Sequence, residues 1–305
     1  MDAFPTVASS STCFGDAPVL VAATSSEAIA TAMPAIEAGG FRVGDTMSIE
    51  LAGGRLDLQG RAAAVWIELD HDGGGAMDEL LTRISRDVAD GRYAAVVSTK
   101  SAILDAVAAQ VEGEVELIVD ADEAERLGAL AIATAQHRSA STVRDVDRDR
   151  NAERLRQLSE EVSRIASTLA RLSTDPVAPQ RLPERPRVTE APPLSIETVR
   201  KVIRARRLRA RYFPEQLFAD PAWDMLLDLL QAEIAQLRVP VSSLCIAAAV
   251  PATTALRWLK TMVSQGLFTR RSDPHDGRRV FVELAPETSH ALRAYFAEVG
   301  QVAFI

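Results

Sequence analysis

Two groups of residues in this 305-residue chain have the types and spacing to do chemistry. The first group is basic. Thr253 and Thr254 precede Arg257 and Lys260, Arg270 and Arg271 close a short apolar run, and Arg278 and Arg279 follow a turn rich in Asp, Pro and Gly. A guanidinium can hold a guanine edge through two parallel hydrogen bonds, and a threonine offers a hydroxyl to phosphate and a methyl to thymine. The second group is acidic. Asp70 closes one apolar run, Ser98 and Thr99 close another, and Asp120 and Asp122 follow a third. Acids at the ends of neighbouring strands could hold a divalent metal for phosphoryl acceptance. That chemistry also needs acids after the first strand and a lysine after the fifth. Here the first run ends Ala22-Ala23-Thr24-Ser25, and no lysine follows the last. A lone carboxylate cannot build the oxygen cage that magnesium requires.

Other candidates are weaker. Gly73-Gly74-Gly75 after Asp72 lacks both the Lys-Ser/Thr of a phosphate loop and the dinucleotide-binding spacing, so it reads as a flexible loop. His71 beside Asp72 has no Ser or Cys motif near it and reads as a surface pair. Cys13 and Cys245 are too few and too far apart for a disulfide framework or a cysteine metal site. With no nucleophile–base pair, metal cluster or cofactor loop, neither an enzyme activity nor a cofactor is expected.

The basic group needs elements to position it. Thr253 or Thr254 can begin a helix after Pro251, with Leu256, Leu259, Met262 and Val263 on one face and Gly266 as its stop. A strand Leu267–Arg270, a polar turn Ser272–Arg279 and a strand Val280–Leu284 follow. Helix and Arg-tipped hairpin together make the build of a winged helix. Upstream, Ser242–Ala249 reads as a short apolar helix capped by Ser242, and Val250-Pro251-Ala252 as the turn. In a helix-turn-helix the first turns of the second helix enter the major groove. That puts Thr253, Thr254 and Arg257 near base edges and Lys260, one turn on, near phosphate. Trp258 falls on the other side, as a core residue or hydrophobic wedge, and Arg270 and Arg271 at the hairpin base suit phosphate.

The run Gly266-Leu267-Phe268-x-Arg270, then Asp273-Pro274-His275-Asp276-Gly277-Arg278-Arg279, then Leu284, resembles the signature of the multiple-antibiotic-resistance regulator (MarR) family. The match is close over roughly residues 240–286 and looser over about 195–300. The resemblance implies a sequence-specific, double-stranded-DNA-binding transcription regulator acting as a homodimer, paired through helices near 195–211 and 286–299. It also implies that Asp276 buttresses Arg278, which enters the minor groove. Gly277 stands where many members carry a basic residue.

The rest of the chain alternates. Strand-like runs at Pro18–Ala23, Phe41–Gly44, Ala62–Leu69, Tyr93–Ser98 and Val115–Val119 alternate with helix-like runs at Ser25–Ala38, Ala76–Ala89, Ser101–Val111 and Asp122–Gln136. This is the pattern of an α/β fold with a flavodoxin- or receiver-like parallel sheet, degenerate as a phosphate acceptor and used for contacts or for sensing a small-molecule or protein effector. Asp45–Gly60 shows no good helix; Met47–Leu51 with Arg55–Leu58 reads as a small β excursion. Over 141–172, Leu155, Leu158, Val162, Ile165, Leu169 and Leu172 form an a/d seam, the period of a two-stranded coiled coil. The alternative is a helix packed on its own domain, whose apolar face is usually wider. Six prolines make 173–194 an extended linker. Ser195–Arg211 is a basic helix, which suits either a phosphate- or partner-facing role or a solvated face. Ala222–Leu237 is amphipathic, with Met225, Leu226, Leu229, Leu230, Ile234 and Leu237 expected to be buried, and Pro286–Val299 closes the chain's last domain.

The expected layout is therefore a disordered tail 1–16, an α/β domain 17–140, a coiled coil 141–172, a linker 173–194 and a mainly α winged-helix domain 195–305. The net charge of −8 divides unevenly, −13 over residues 1–140 and +4 over 195–305. The charge a phosphate meets is local, so overall acidity does not argue against DNA. No apolar run reaches 18 residues and the first 16 residues lack a basic and apolar leader, so no membrane span is expected and the compartment should be cytoplasmic. The runner-up is a non-catalytic scaffold that uses the same elements for assembly. Val162→Asp with Ile165→Asp is expected to loosen self-association of the full chain. Sedimentation that gives the same dimer fraction as wild type at micromolar concentration removes the coiled-coil reading.

Overall fold

The computed structural model describes residues 17–59, 61–138, 194–213 and 219–299. The tail 1–16, the a/d seam from Leu155 to Leu172 and linker residues 173–193 lie outside the described residues.

The first half is a five-stranded parallel sheet of order β2-β1-β3-β4-β5. Its strands are β1 (Val19–Ala23), β2 (Val43–Ser48), β3 (Ala64–Leu69), β4 (Ala94–Thr99) and β5 (Glu116–Val119). Every residue of β1, β3 and β4 is buried, as continuous apolar runs in a sheet covered on both faces should be. Alternate residues feed separate cores. Leu20, Val65 and Ile67 pack with α2 (Ile49–Asp57), α3 (Gly74–Ala89) and α4 (Leu104–Gln110). Val21, Trp66 and Val96 pack with α1 (Ser26–Ala38) and the helix α5 over 123–138. Ser25 caps α1 as expected, accepting from the Ala28 amide at 3.0 Å.

The expectation for Asp45–Gly60 was wrong. Residues Met47 and Ser48 complete β2, and Ile49–Asp57 is the helix α2. Gly53-Gly54 lowers helix propensity, but packing overrides it. Ile49, Ala52 and Leu56 are buried against the sheet, and Arg83 holds the outside through the Gly53 carbonyl at 2.9 Å and Asp57 at 2.6 Å. The three glycines are no free loop either. Gly74 and Gly75 open α3, while a Cβ on Gly73 would sit 2.3 Å from Ile49 Cδ1.

The second half is mainly helical: α6 (Ile196–Leu208), α7 (Pro221–Ala235), α8 (Val241–Ala247), α9 (Ala252–Ser264) and α10 (Pro286–Val299). A short strand β6 (Val239–Pro240) joins the hairpin of β7 (Phe268–Ser272) and β8 (Val280–Leu284) in an antiparallel sheet of order β6-β8-β7. Two expectations need correction. Leu237 is exposed, because left-handed Gln236 (φ 54°) ends α7 and turns the chain off its buried face. Ser242 lies inside α8, not at its cap, and both its amide and its hydroxyl bond to Asp105 of α4. Gly266, at φ +71°, does end α9: its own amide and that of Leu267 fold back onto the Val263 and Met262 carbonyls.

The two halves share a core. Leu104 and Ala108 of α4 and Val119 of β5 belong to the same buried cluster as Leu244, Leu256, Leu259 and Phe268. Among the described residues no single helix is long and apolar enough to cross a membrane.

One buried ion pair braces the sheet. Arg126 of α5 reaches Glu68 of β3 at 2.5 Å, and Glu68 also accepts from Trp66 Nε1 at 2.9 Å and Ser98 Oγ at 3.0 Å. Both partners are nearly inaccessible, so removing one leaves a buried charge without compensation. Arg126→Met is therefore expected to cost about 3–5 kcal/mol, and Arg126→Met with Glu68→Gln distinctly less. Urea unfolding measures both, and equal losses would show that the pair is not coupled.

Candidate nucleic-acid interface

The basic residues sit on two supports. Helix α9 begins at Ala252 with Pro251 at its cap, one residue earlier than the threonines suggest. Buried Ala255, Leu256, Leu259 and Met262 fix its inner face, leaving Arg257 and Lys260 on another side. The hairpin carries Arg270 and Arg271 on β7 and Arg278 and Arg279 at its turn. Asp273 and Asp276 brace that turn: Asp273 accepts from the His275 amide at 2.9 Å, and Asp276 from the Arg278 amide at 3.0 Å.

These side chains meet carboxylates and carbonyls of the α/β half. Arg257 holds Glu116 of β5 through two nitrogens, Nε at 2.7 Å and the second at 2.5 Å. Lys260 reaches Glu114 at 2.9 Å. Arg278 reaches Asp72 at 2.5 Å and Asp78 of α3 at 3.1 Å. Arg270 caps the end of α4, bonding to the carbonyls of Ala108 and, at 3.2 Å, Val111. Thr253 is buried, and its hydroxyl accepts from the Val119 amide at 3.1 Å. Gln110 bonds to the Gly277 carbonyl at 3.1 Å. The acidic half thus engages Thr253, Arg257, Lys260, Arg270 and Arg278, while Arg271 and Arg279 stay outside the contact.

Several single-residue expectations change. Thr253 is not free to touch a ligand in this arrangement, because the end of β5 lies against the start of α9. Thr254 is half-buried. The Asp276 carboxylate pairs with Arg279 at 3.2 Å rather than with Arg278, whose side chain swings to Asp72. Arg271 pairs along the hairpin with Glu283 at 2.5 Å. Trp258 is 40% exposed, so it is not a core residue. Sequence reasoning missed the acidic partners Asp72, Asp78, Glu114 and Glu116. The opposite charge of the two halves was the available signal, since a long-range pair leaves no spacing to read.

Electrostatics follow from the contacts. The hydrogen bond from Arg278 holds the Asp72 carboxyl below its ordinary value. Burial pushes Asp78 up, against the pull of Arg278. Burial also depresses Arg270. The seam borders a half-open pocket of about 230 Å³, lined by Val111, Val115, Leu256, Val263, Arg257 and Lys260.

The acidic group at the ends of β1 and β3 forms a separate small cluster. Thr24 donates to Asp70 at 2.6 Å, Ser25 donates to it as well, and His71 Nδ1 lies 2.6 Å away. His71 thus pairs with Asp70, not Asp72. Burial raises the Asp70 carboxyl, but these three partners outweigh it and hold it at about 2. The buried Thr99 hydroxyl has no partner, and Lys100 stands 3.8 Å from Asp120. No cluster of three or more metal-ligating side chains occurs among the described residues. Hydroxyls occupy the places where a phosphate acceptor needs acids.

Comparison with known proteins adds little. No protein-family model and no curated protein matches the sequence. A similar solved structure is the transcriptional regulator Tm0710 from Thermotoga maritima, 20% identical, covering 34% of this chain and 80% of that one, with a TM-score of 0.21.

A carboxylate held at about 2 when folded stabilises the protein above its unfolded value near 4, and the gain disappears as pH falls between them. Asp70→Asn should therefore lower Tm clearly at pH 7 and hardly at pH 2. A Tm gap that stays constant from pH 7 to pH 2 would show that the Asp70 cluster is not holding a charge.

Proposed function

We propose that this chain is a transcription regulator that binds double-stranded DNA through a MarR-like winged helix. One observation carries the reading. Helix α9 and the β7–β8 hairpin bring Arg257, Lys260, Arg270 and Arg278 to one surface, and every one of them is matched to an anionic or carbonyl oxygen. A surface built to grip oxygens at that spacing suits a phosphate backbone with base edges between. In this reading α9 enters the major groove, with Arg257 at a base, Thr254 near its start and Lys260 at phosphate. The hairpin is the wing, and Arg278 is its minor-groove residue. Arg271 and Arg279, exposed at the wing's base and tip, add phosphate contacts.

The acting species is a homodimer. The a/d seam from Leu155 to Leu172 supplies one contact, and helices α6 and α10 a second. Exposed Leu208, Tyr212 and Tyr295 lie on or just after those helices and give that second contact apolar material. A two-fold dimer calls for half-sites about one helical turn apart. The α/β half carries no catalytic role; it is the contact and effector module.

A second reading has an observation of its own. The basic residues are already satisfied inside the chain, as they would be in a scaffold that uses these pairs only to hold its halves together. Selection from a random duplex library separates the two readings, run with the full chain and with full chain carrying Glu114→Gln and Glu116→Gln. An enriched pseudo-palindrome is expected, with Arg257→Ala weakening its binding by about 1–3 kcal/mol and relaxing one position per half-site. No enriched motif with either protein leaves the scaffold.

A further inference from the structure

The strongest unassigned feature is the acidic strip that runs from Asp72 and Asp78 to Glu114 and Glu116. It sits on the loop after β3, on α3, and at the start of β5. Its carboxylates engage the side chains that the DNA reading needs: Arg278, Lys260 and Arg257. Arg270 is bound to the end of α4, and Thr253 is held under Val119. We propose that this strip is a built-in competitor for DNA, so that the full chain rests in a closed state and binds DNA only after α9 and the hairpin leave the α/β half. The inference rests on the DNA-binding reading and goes beyond it by assigning a function to the acidic half.

Three observations favour a separable mask over a permanent joint. The first is chemical. Carboxylate oxygens replace phosphate oxygens at the same guanidinium and ammonium groups, so the two partners exclude each other atom for atom. The second is steric. Thr253 is 4% exposed and the start of α9 abuts the end of β5, so that helix cannot enter a groove while docked. The third is packing. The seam mixes ion pairs with the apolar cluster that both halves share, and it borders a half-open pocket of about 230 Å³. A contact of mixed polarity is the kind that opens within a two-state equilibrium. The closed fraction then reduces apparent DNA affinity by the same factor that it reduces the competent population.

Asp72 gives the mask a position relative to the rest of the fold. It lies two residues after Asp70, and its carboxylate also accepts from the Gly74 amide at 2.8 Å at the start of α3. The wing arginine is thus tied to the same loop that carries the Thr24–Ser25–Asp70–His71 cluster.

The test compares wild-type full chain with full chain carrying Asp72→Asn, Glu114→Gln and Glu116→Gln, which remove charge and keep shape. The probe is the duplex enriched by whichever protein selects one, followed by fluorescence anisotropy at fixed salt. The triple variant is expected to bind at least tenfold more tightly, and Val119, freed from Thr253, to exchange its amide hydrogen faster. Glu114→Gln alone, at a side chain 70% exposed, keeps the comparison valid should the triple variant unfold, and is expected to tighten binding severalfold. Equal affinity in wild type and variants overturns the mask while DNA binding stands. Failure of every protein to enrich a duplex removes the DNA reading and the mask together. Faster Val119 exchange without tighter binding shows docking that does not compete with DNA, and also overturns the proposal.

Discussion

The seam along β5 is the constraint on which this structure turns. On one side lies an α/β layer drawn from an acidic stretch of sequence, −13 over residues 1–140; on the other, helices and a hairpin drawn from a basic one, +4 over 195–305. Each half leaves groups that the other satisfies. Strand β5 has a backbone donor at its last residue, Val119, and a carboxylate at its first, Glu116, and α9 brings a hydroxyl and a guanidinium to them. The end of α4 has carbonyls without helical partners, and Arg270 supplies donors. Leu104 and Val119 then close over Leu256 and Leu259, so the apolar burial and the charge pairing are coupled. Exposed ion pairs contribute about 0–1 kcal/mol each. Removing one partner of the Arg257–Glu116 pair, whose glutamate is nearly buried, costs more than removing one of the peripheral Lys260–Glu114 pair.

The α/β half is a doubly wound parallel sheet whose crevice lacks the acids that phosphate acceptance needs. A strand order of β2-β1-β3-β4-β5 places the crevice where the topology reverses, between β1 and β3. Asp70 stands at that crevice. Instead of neighbouring acids it has two hydroxyls and an imidazole, which occupy its lone pairs and leave a single carboxylate where a metal needs several oxygen ligands. The result is a carboxylate already committed to its neighbours. The loop that carries it continues to Asp72, which holds Arg278 of the hairpin.

Much of this architecture was legible in the sequence, and the failures have physical causes. The continuous apolar runs of β1, β3 and β4 and the cap at Ser25 were readable because they are local. So were the bounds of β8 and α10. The helix α2 was hidden by Gly53-Gly54, since propensity cannot register the sheet that covers Ile49, Ala52 and Leu56. Ser242 looked like a helix cap because its real partner, Asp105, is 137 residues away. The basic surface was legible as a set of types, but its occupants were not. Arg278 and Asp72 are 206 residues apart, and no periodicity connects them.

The position of β5 in the sheet has a consequence for any undocked form. Among the described residues it is an edge strand paired with β4 alone, and α9 lies along it. An edge stripped of its cover is a template on which a foreign strand can add. The four-residue length of β5 limits that hazard, and Glu116 places a charge at its start. Uncovering it still turns a quiet border of the fold into adhesive backbone. A chain whose α9 lets go of β5 would therefore acquire an aggregation liability along with its freedom.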